Sequence, residues 1–313
     1  MIKEKSFSGN LESAIIFPGC GIKYLGNELE ILKSLGYEIN DFFNRAEAVS
    51  SFDRDVFLEV TDGNFSDELQ GQFATYMYSC AISDLLSKQG FVCNCSAGYS
   101  MGLYAALYHT GAVSFEDGLR LIENAYMCIK RNVCDRDFSA AVIMGLTINI
   151  IEKLMEKFSN EVEVINENNE ISIVISGVTT GVKSVMDAAL KEGALKIVKL
   201  PISIPYHSSF TRTASEEFRL ILSDIKISYP ECQLISCIDQ KVLKTPGQIK
   251  NALEKNISHA INWKKTFENI LKNGTTSFIE CGPGESLSKI SQFIDGKYSI
   301  VKGFEILGLN SKQ

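Results

Sequence analysis

The order of apolar and polar segments predicts an α/β protein in two parts. A large domain of mostly parallel sheet covered by helices carries a small, inserted ferredoxin-like domain. Three observations lead there. Strand-like apolar runs alternate with helical segments on both sides of the chain's middle, as a parallel sheet with helical crossovers requires. Between residues 140 and 200 the rhythm changes to β-α-β-β-α-β, the split-βαβ order. The chain has 313 residues, beyond the ~250–300 at which a single core stops growing.

Ala14-Ile15-Ile16-Phe17, ended by Pro18-Gly19, reads as a buried strand. Asp67 to Lys88 is helical, with Phe73, Met77, Ala81 and Leu85 spaced by four. Residues 91–96 form the next strand, and Gly98-Tyr99-Ser100-Met101-Gly102 follows it. Leu103–His109 and Ser114–Arg131 read as helices, the second with Ser114 as N-cap and Asp117 in its first turn. The inserted run is strand Ala140–Met144, helix Asn149–Phe158, strands Glu161–Ile165 and Ile171–Ser176, helix Val182–Lys191 and strand Ala194–Leu200. Asn166-Glu167-Asn168-Asn169 reads as the turn between its two middle strands. Beyond it come helices Ser208–Ser223 and Trp263–Asn273 and strand Thr276–Glu280, which ends at Cys281-Gly282-Pro283-Gly284. The final ten residues give no clear signal. Residues 1–137 and 200–313 are thus assigned to the large domain and 138–199 to the insert.

Composition excludes several classes. Hydrophobic residues make up 45% and charged residues 22% of the chain, ordinary globular usage that leaves no room for a collagenous, coiled-coil or disordered chain. The net charge of −7 and the lack of a basic patch argue against nucleic acid or an anionic membrane as the main partner. No apolar run approaches the ~18 residues of a membrane span, and residues 1–13 contain no secretory core. Nine scattered cysteines, without a CxxC pair, fit reduced buried thiols in a cytoplasm. Cys93 and Cys95, alternating along a strand, read as packing thiols. With three histidines and no clustered Cys/His spacing, no metal site is expected.

The chemistry concentrates in Gly98–Gly102, a G-x-S-x-G pentapeptide between strand and helix. Such a turn projects the serine Oγ above the sheet, while the glycines admit a strained backbone and close helix packing. The amide of Met101 then points at the same space and can stabilise an oxyanion. The bland alternative is a glycine-rich turn with a capping serine. A serine nucleophile needs a base. His109 lies two and a half turns along the helix and is expected to face solvent, and His259 sits in a polar stretch. His207 follows the proline-bracketed Pro201–Tyr206 segment in a loop, where bases usually lie, and is taken as the base, with a packing role as the alternative. With 106 residues after His207 (313 − 207), the dyad does not follow the Ser-acid-His order of an ordinary α/β-hydrolase.

Four motifs then stand in a familiar order: Phe17-Pro18-Gly19-Cys20-Gly21, Gly98–Gly102, Ile204-Pro205-Tyr206-His207-Ser208 and Glu280-Cys281-Gly282-Pro283-Gly284. Over nearly its whole length the chain resembles the malonyl-CoA:acyl-carrier-protein transacylases of fatty-acid and polyketide synthesis. The resemblance implies an α/β-hydrolase-like large domain with a ferredoxin-like insert, and a cytoplasmic enzyme with no bound cofactor. Its substrates would carry phosphopantetheine, as acyl-CoA or acyl-carrier protein. It further implies Ser100 as nucleophile, His207 as base and the main-chain carbonyl of Asn262 as the group orienting His207. The amides of Cys20 and Met101 would form the oxyanion hole, and Gln72 would line the pocket.

Two departures bear on the substrate. Tyr99 replaces the histidine that usually precedes the serine. The arginine that pairs with the malonyl carboxylate falls, in this register, on Ala125, and Arg120, Lys130 and Arg131 lie on other faces of the helix. The pocket, with Tyr99, Ala125 and Tyr206 beside it, is therefore expected to take an uncharged acyl group. The alternatives are an acyl hydrolase that edits acyl-carrier proteins, a malonyltransferase with an atypical pocket, and a non-catalytic docking protein. Glu123 and Glu280 are expected to be structural.

Overall fold

The computed structural model describes residues 13–20, 28–59, 65–133, 136–158 and 161–308. Gly21, Cys134 and nearly all of the leading segment read above lie outside them.

The chain opens with strand β1 (Ser13–Phe17) and helices α1 (Glu28–Ser34), α2 (Ile39–Glu47), α3 (Arg54–Glu59) and α4 (Glu68–Lys88). Strand β2 (Cys95–Gly98) runs into α5 (Gly102–His109), and α6 (Phe115–Asn132) follows. The inserted run is β3 (Phe138–Met144), α7 (Ile148–Met155), β4 (Val162–Asn169), β5 (Ser172–Val178), α8 (Thr179–Glu192) and β6 (Lys196–Leu200). Helix α9 (Arg212–Ile221), β7 (Gln233–Ile235), β8 (Val242–Leu243), α10 (Pro246–Ser258), β9 (Ile261–Asn262) and α11 (Trp263–Lys272) come next. The last elements are β10 (Ser277–Glu280), α12 (Ser286–Ser291), β11 (Ser299–Lys302) and α13 (Gly303–Ile306).

Two sheets form. The larger has the order β11-β10-β1-β2-β7-β8 and is parallel except for the β7–β8 pair. Its central strands are buried on both faces, which is why Ala14–Phe17 reads as a continuous apolar run. The smaller has the order β6-β3-β5-β4-β9, and its first four strands are antiparallel in the ferredoxin-like arrangement. Strand β9 extends it in parallel from a segment 60 residues beyond the insert, so the two bodies share a hydrogen-bonded sheet.

Ser114 caps α6 as expected, and Asp67, read as the first residue of its helix, caps α4. Asp67 accepts from the Gln70 amide and Ser114 from the Asp117 amide, each satisfying an orphan donor of a first turn. One expectation is corrected. Asn166–Asn169 is not a turn but the last half of β4. A polar stretch can continue a buried strand only when its side chains find partners. Asn166 Oδ1 accepts from the Trp263 amide (3.1 Å), Glu167 accepts from Asn262 Nδ2 (2.9 Å) and Lys264 Nζ (3.1 Å), and Asn169 Nδ2 donates to the Ile290 carbonyl (2.9 Å). Those partners come from β9, α11 and α12, which no local reading of the insert contains.

Candidate active site

Strands β1 and β2 run side by side, with Phe17 opposite Gly98, and both end at the same place. Open parallel sheets bind their ligands there, beyond the carboxyl ends of the strands. The Tyr99 amide donates to the Phe17 carbonyl (2.9 Å) and the Gly102 amide to the Tyr99 carbonyl (2.8 Å), closing a tight turn. Ser100 sits at its tip with φ 55°, a left-handed conformation that a side-chain-bearing residue adopts at some cost. The two glycines are required by space. A Cβ on Gly98 would lie 2.1 Å from the backbone of Gly102, and one on Gly102 would lie 2.2 Å from the Phe17 carbonyl oxygen. Gly282 plays the same part from the other motif, since a Cβ there would meet the Pro18 ring at 2.4 Å.

His207 reaches Ser100 from a different element. Its amide donates to the Ile257 carbonyl (2.8 Å) at the end of α10, and Thr211 Oγ1 donates to the same carbonyl (2.8 Å). Ser208 Oγ closes the segment onto the Pro205 carbonyl (2.6 Å). Held this way, His207 also has positive φ (61°), and its Nε2 lies 2.6 Å from Ser100 Oγ. Asn256 Nδ2 ties the turn to the same helix by donating to the Ser100 carbonyl (3.3 Å).

Burial pushes the His207 imidazole down to about 4, against the smaller opposing pull of the His259 and Asn256 carbonyls. At neutral pH the ring is therefore uncharged, and Ser100 Oγ–H can donate to Nε2 while Nδ1 carries the ring hydrogen. Nδ1 is buried and makes no close hydrogen bond.

The expected role of Asn262 is corrected. Its carbonyl accepts from Thr266 Oγ1 (2.7 Å), its Oδ1 caps α11 by accepting from the Lys265 amide (2.8 Å), and its Nδ2 is held by Glu167. The backbone oxygens acting on His207 belong to His259 and Asn256, at the end of α10 rather than at the start of α11.

A cavity of about 190 Å³ opens over the dyad. Gly19, Cys20, Tyr99, Ser100, Tyr206 and His207 form its floor, and the face of the small sheet supplies Val142, Ile165 and Val174. Leu200, Ile202, Ile204, Ile261, Leu287 and Ile290 complete an almost wholly apolar wall. Among the described residues, the lining contains no lysine, arginine, aspartate or glutamate. The hydroxyl of Tyr99 donates to Asn168 Oδ1 (2.9 Å) and accepts from Asn166 Nδ2 (2.6 Å), so the polar half of β4 fixes the ring beside Ser100. Among the described residues, the Cys20 and Met101 amides have no backbone acceptor. The Cys20 thiol is pushed up to about 12, by burial first and then by Glu68, which leaves it protonated and inert.

Residues 30–294 match the family model described as an acyl transferase domain. The chain belongs to this acyltransferase family. It is 26% identical over 288 residues to the malonyl CoA-acyl carrier protein transacylase of Escherichia coli, covering 90% of this chain and 92% of that one. It is 24% identical over 291 residues to the protein of the same name from Bacillus subtilis, covering 92% of each. Among solved structures it superposes on the acyl-carrier-protein S-malonyltransferase of Burkholderia pseudomallei with a TM-score of 0.85 and 26% identity, covering 96% of this chain and 100% of that one.

In this acyltransferase Ala125 is buried in α6 within the main core and does not line the cavity. Arg120 pairs with Asp117 (2.9 Å) and Arg131 with Glu217, both at the surface. Gln72 is buried behind the wall, where its Nε2 donates to the Tyr206 hydroxyl (2.7 Å). One turn earlier on α4, Glu68 accepts from Ser203 Oγ (3.1 Å), and its charge is felt at both Cys20 and Tyr206. Its carboxyl is raised above the ordinary range, chiefly by burial. The sequence reading missed Glu68, although its i, i+4 relation to Gln72 put both on one face of α4. Glu280 accepts from the Leu287 (2.9 Å) and Ser288 (2.8 Å) amides, and Glu123 from the Ser51 amide (3.1 Å), as structural carboxylates do.

Proposed function

We propose that this acyltransferase carries an uncharged acyl group as an ester on Ser100, from CoA or a carrier protein to the phosphopantetheine thiol of an acyl-carrier protein. The single observation that carries the reading is the 2.6 Å contact between Ser100 Oγ and His207 Nε2, at the floor of an apolar cavity with no cationic residue among its described lining. The names of the relatives, transacylases acting on acyl-carrier protein, favour the same acceptor.

The steps follow from the groups present. As Ser100 Oγ attacks the thioester carbonyl, its proton passes to His207 Nε2. The imidazolium so formed is favoured by the backbone carbonyls of His259 and Asn256 that face the ring. The oxyanion meets the amides of Cys20 and Met101, where each donor contributes ~3 kcal/mol. Collapse breaks the C–S bond, and the departing thiolate takes the proton from Nε2. The acceptor thiol then repeats the sequence in reverse and leaves Ser100 free. A carboxylate on the acyl chain would enter without a counter-ion and close to Glu68, and an unpaired buried charge costs several kcal/mol.

The test is intact-protein mass spectrometry after exposure to acyl-CoA. Ser100→Ala is expected to give no acyl adduct, and His207→Ala to acylate ~10²–10⁴ times more slowly than the parent. An adduct on Ser100→Ala would overturn the assignment.

A further inference from the structure

We propose that Cys93, His109 and Cys232 form a zinc-binding site at the end of the large sheet opposite the Ser100 turn. The sequence spacing hides this group, because its members lie on three segments that meet only in the fold. Their ligand atoms, two Sγ and the imidazole nitrogen, all lie within 4.8 Å of one another.

The backbone holds all three in place. Cys232 immediately precedes β7 and Cys93 stands just before Asn94 at the start of the paired strand β2, where the Gln233 amide donates to the Asn94 carbonyl (3.1 Å). His109 ends α5, and the Glu231 amide donates to the Thr110 carbonyl (2.8 Å), seating the Cys232 segment against that end of the helix.

The donor set suits zinc. His109 Nδ1 is bonded to Ser83 Oγ (2.8 Å), and with Nδ1–H donating, Nε2 presents its lone pair. Metal-bound imidazoles are oriented in this way by a partner on the second nitrogen. Nε2 already lies 3.1 Å from Cys93 Sγ. A tetrahedral zinc, with Zn–S about 2.3 Å and Zn–N about 2.0 Å, separates a sulfur from a nitrogen ligand by about 3.5 Å. A rotation of a few tenths of an ångström therefore admits the ion. Two thiolates and one imidazole select a soft or borderline ion over magnesium or calcium. Cys93 is buried, whereas His109 and Cys232 are half-buried and leave the fourth position open to water. Binding forms two Zn–S bonds, and the thiol hydrogens still held at the working pH pass to the buffer. Such an ion would tie β2, β7 and α5 together at a distance from the reacting serine.

The full-length protein, reduced and stripped of metal, is titrated with zinc against a chromophoric chelator and separately with cobalt(II). The expected result is one ion per chain, a thiolate-to-cobalt charge-transfer band and a melting temperature that rises with zinc. Cys232→Ser and His109→Gln, at half-buried positions, are each expected to weaken binding by about tenfold or more. The cobalt spectrum of the unaltered chain reports the thiolate ligands even if a variant folds poorly. Absence of stoichiometric binding, a cobalt spectrum without the charge-transfer band, or undiminished affinity in both folded variants would overturn the proposal.

Discussion

Acid is the perturbation that most directly probes His207. An ordinary histidine titrates near 6.5, and burial pushes this one down to about 4. Between those values the unfolded chain binds a proton that the folded chain refuses, so folded stability falls as the pH is lowered from about 6.5 to about 4 and levels off below. A displacement of this size corresponds to about 3 kcal/mol. The same displacement fixes the acid limb of acylation, because only the uncharged imidazole can take the Ser100 proton. Single-turnover acylation, quenched and read by mass spectrometry, should stay flat from pH 8 to 5 and decline only towards pH 4. Urea denaturation across that range should show the parent losing about 3 kcal/mol more than His207→Gln, whose side chain does not titrate. An acid limb centred near the ordinary histidine value, or equal losses in the two proteins, would refute a desolvated base.

Other consequences follow from the cavity and the turn. Ala125→Arg forces an unpaired guanidinium into the packed core on the buried face of α6 and should cost at least about 3 kcal/mol in urea denaturation. Glu68→Gln removes the carboxylate whose charge reaches Cys20 and Tyr206 and should raise malonyl acylation relative to acetyl by roughly three- to tenfold in direct competition. Gly102→Ala places a methyl 2.2 Å from the Phe17 carbonyl oxygen and should cost at least about 3 kcal/mol in urea denaturation, together with most acylation.

Much of this architecture was legible because its determinants are local. The apolar run Ala14–Phe17, the Ser114 cap and the split-βαβ rhythm each express one element's own requirements. The Gly98–Gly102 turn was legible for the same reason, since both glycines answer to backbone within the strand–turn–helix unit and its neighbour β1. The misses are residues whose reason lies elsewhere in the chain. Asn166–Asn169 looks like a turn until Trp263, Asn262, Lys264 and Ile290 satisfy it from the large domain. His109, expected to face solvent, is held by Ser83 and Cys93 and lies against the Phe17 ring. Asn262 was placed beside His207 by motif order, but its hydrogen bonds commit it to the start of α11, and the carbonyls acting on the imidazole come from the end of α10. Strands β7, β8 and β11 are too short to carry a periodicity of their own, and α13 runs into the final ten residues, which gave no signal.

One acylation experiment bears on the central claim. Malonyl-, acetyl- and butyryl-CoA are offered together at equal concentration, and the adduct on Ser100 is weighed in the intact protein before any acceptor is added. An apolar cavity with no cation among its described lining residues predicts acetyl or butyryl adducts in excess of malonyl by about a hundredfold to several thousandfold, the equivalent of the ~3–5 kcal/mol lost by an unpaired buried carboxylate. A dominant malonyl adduct on Ser100 would contradict it.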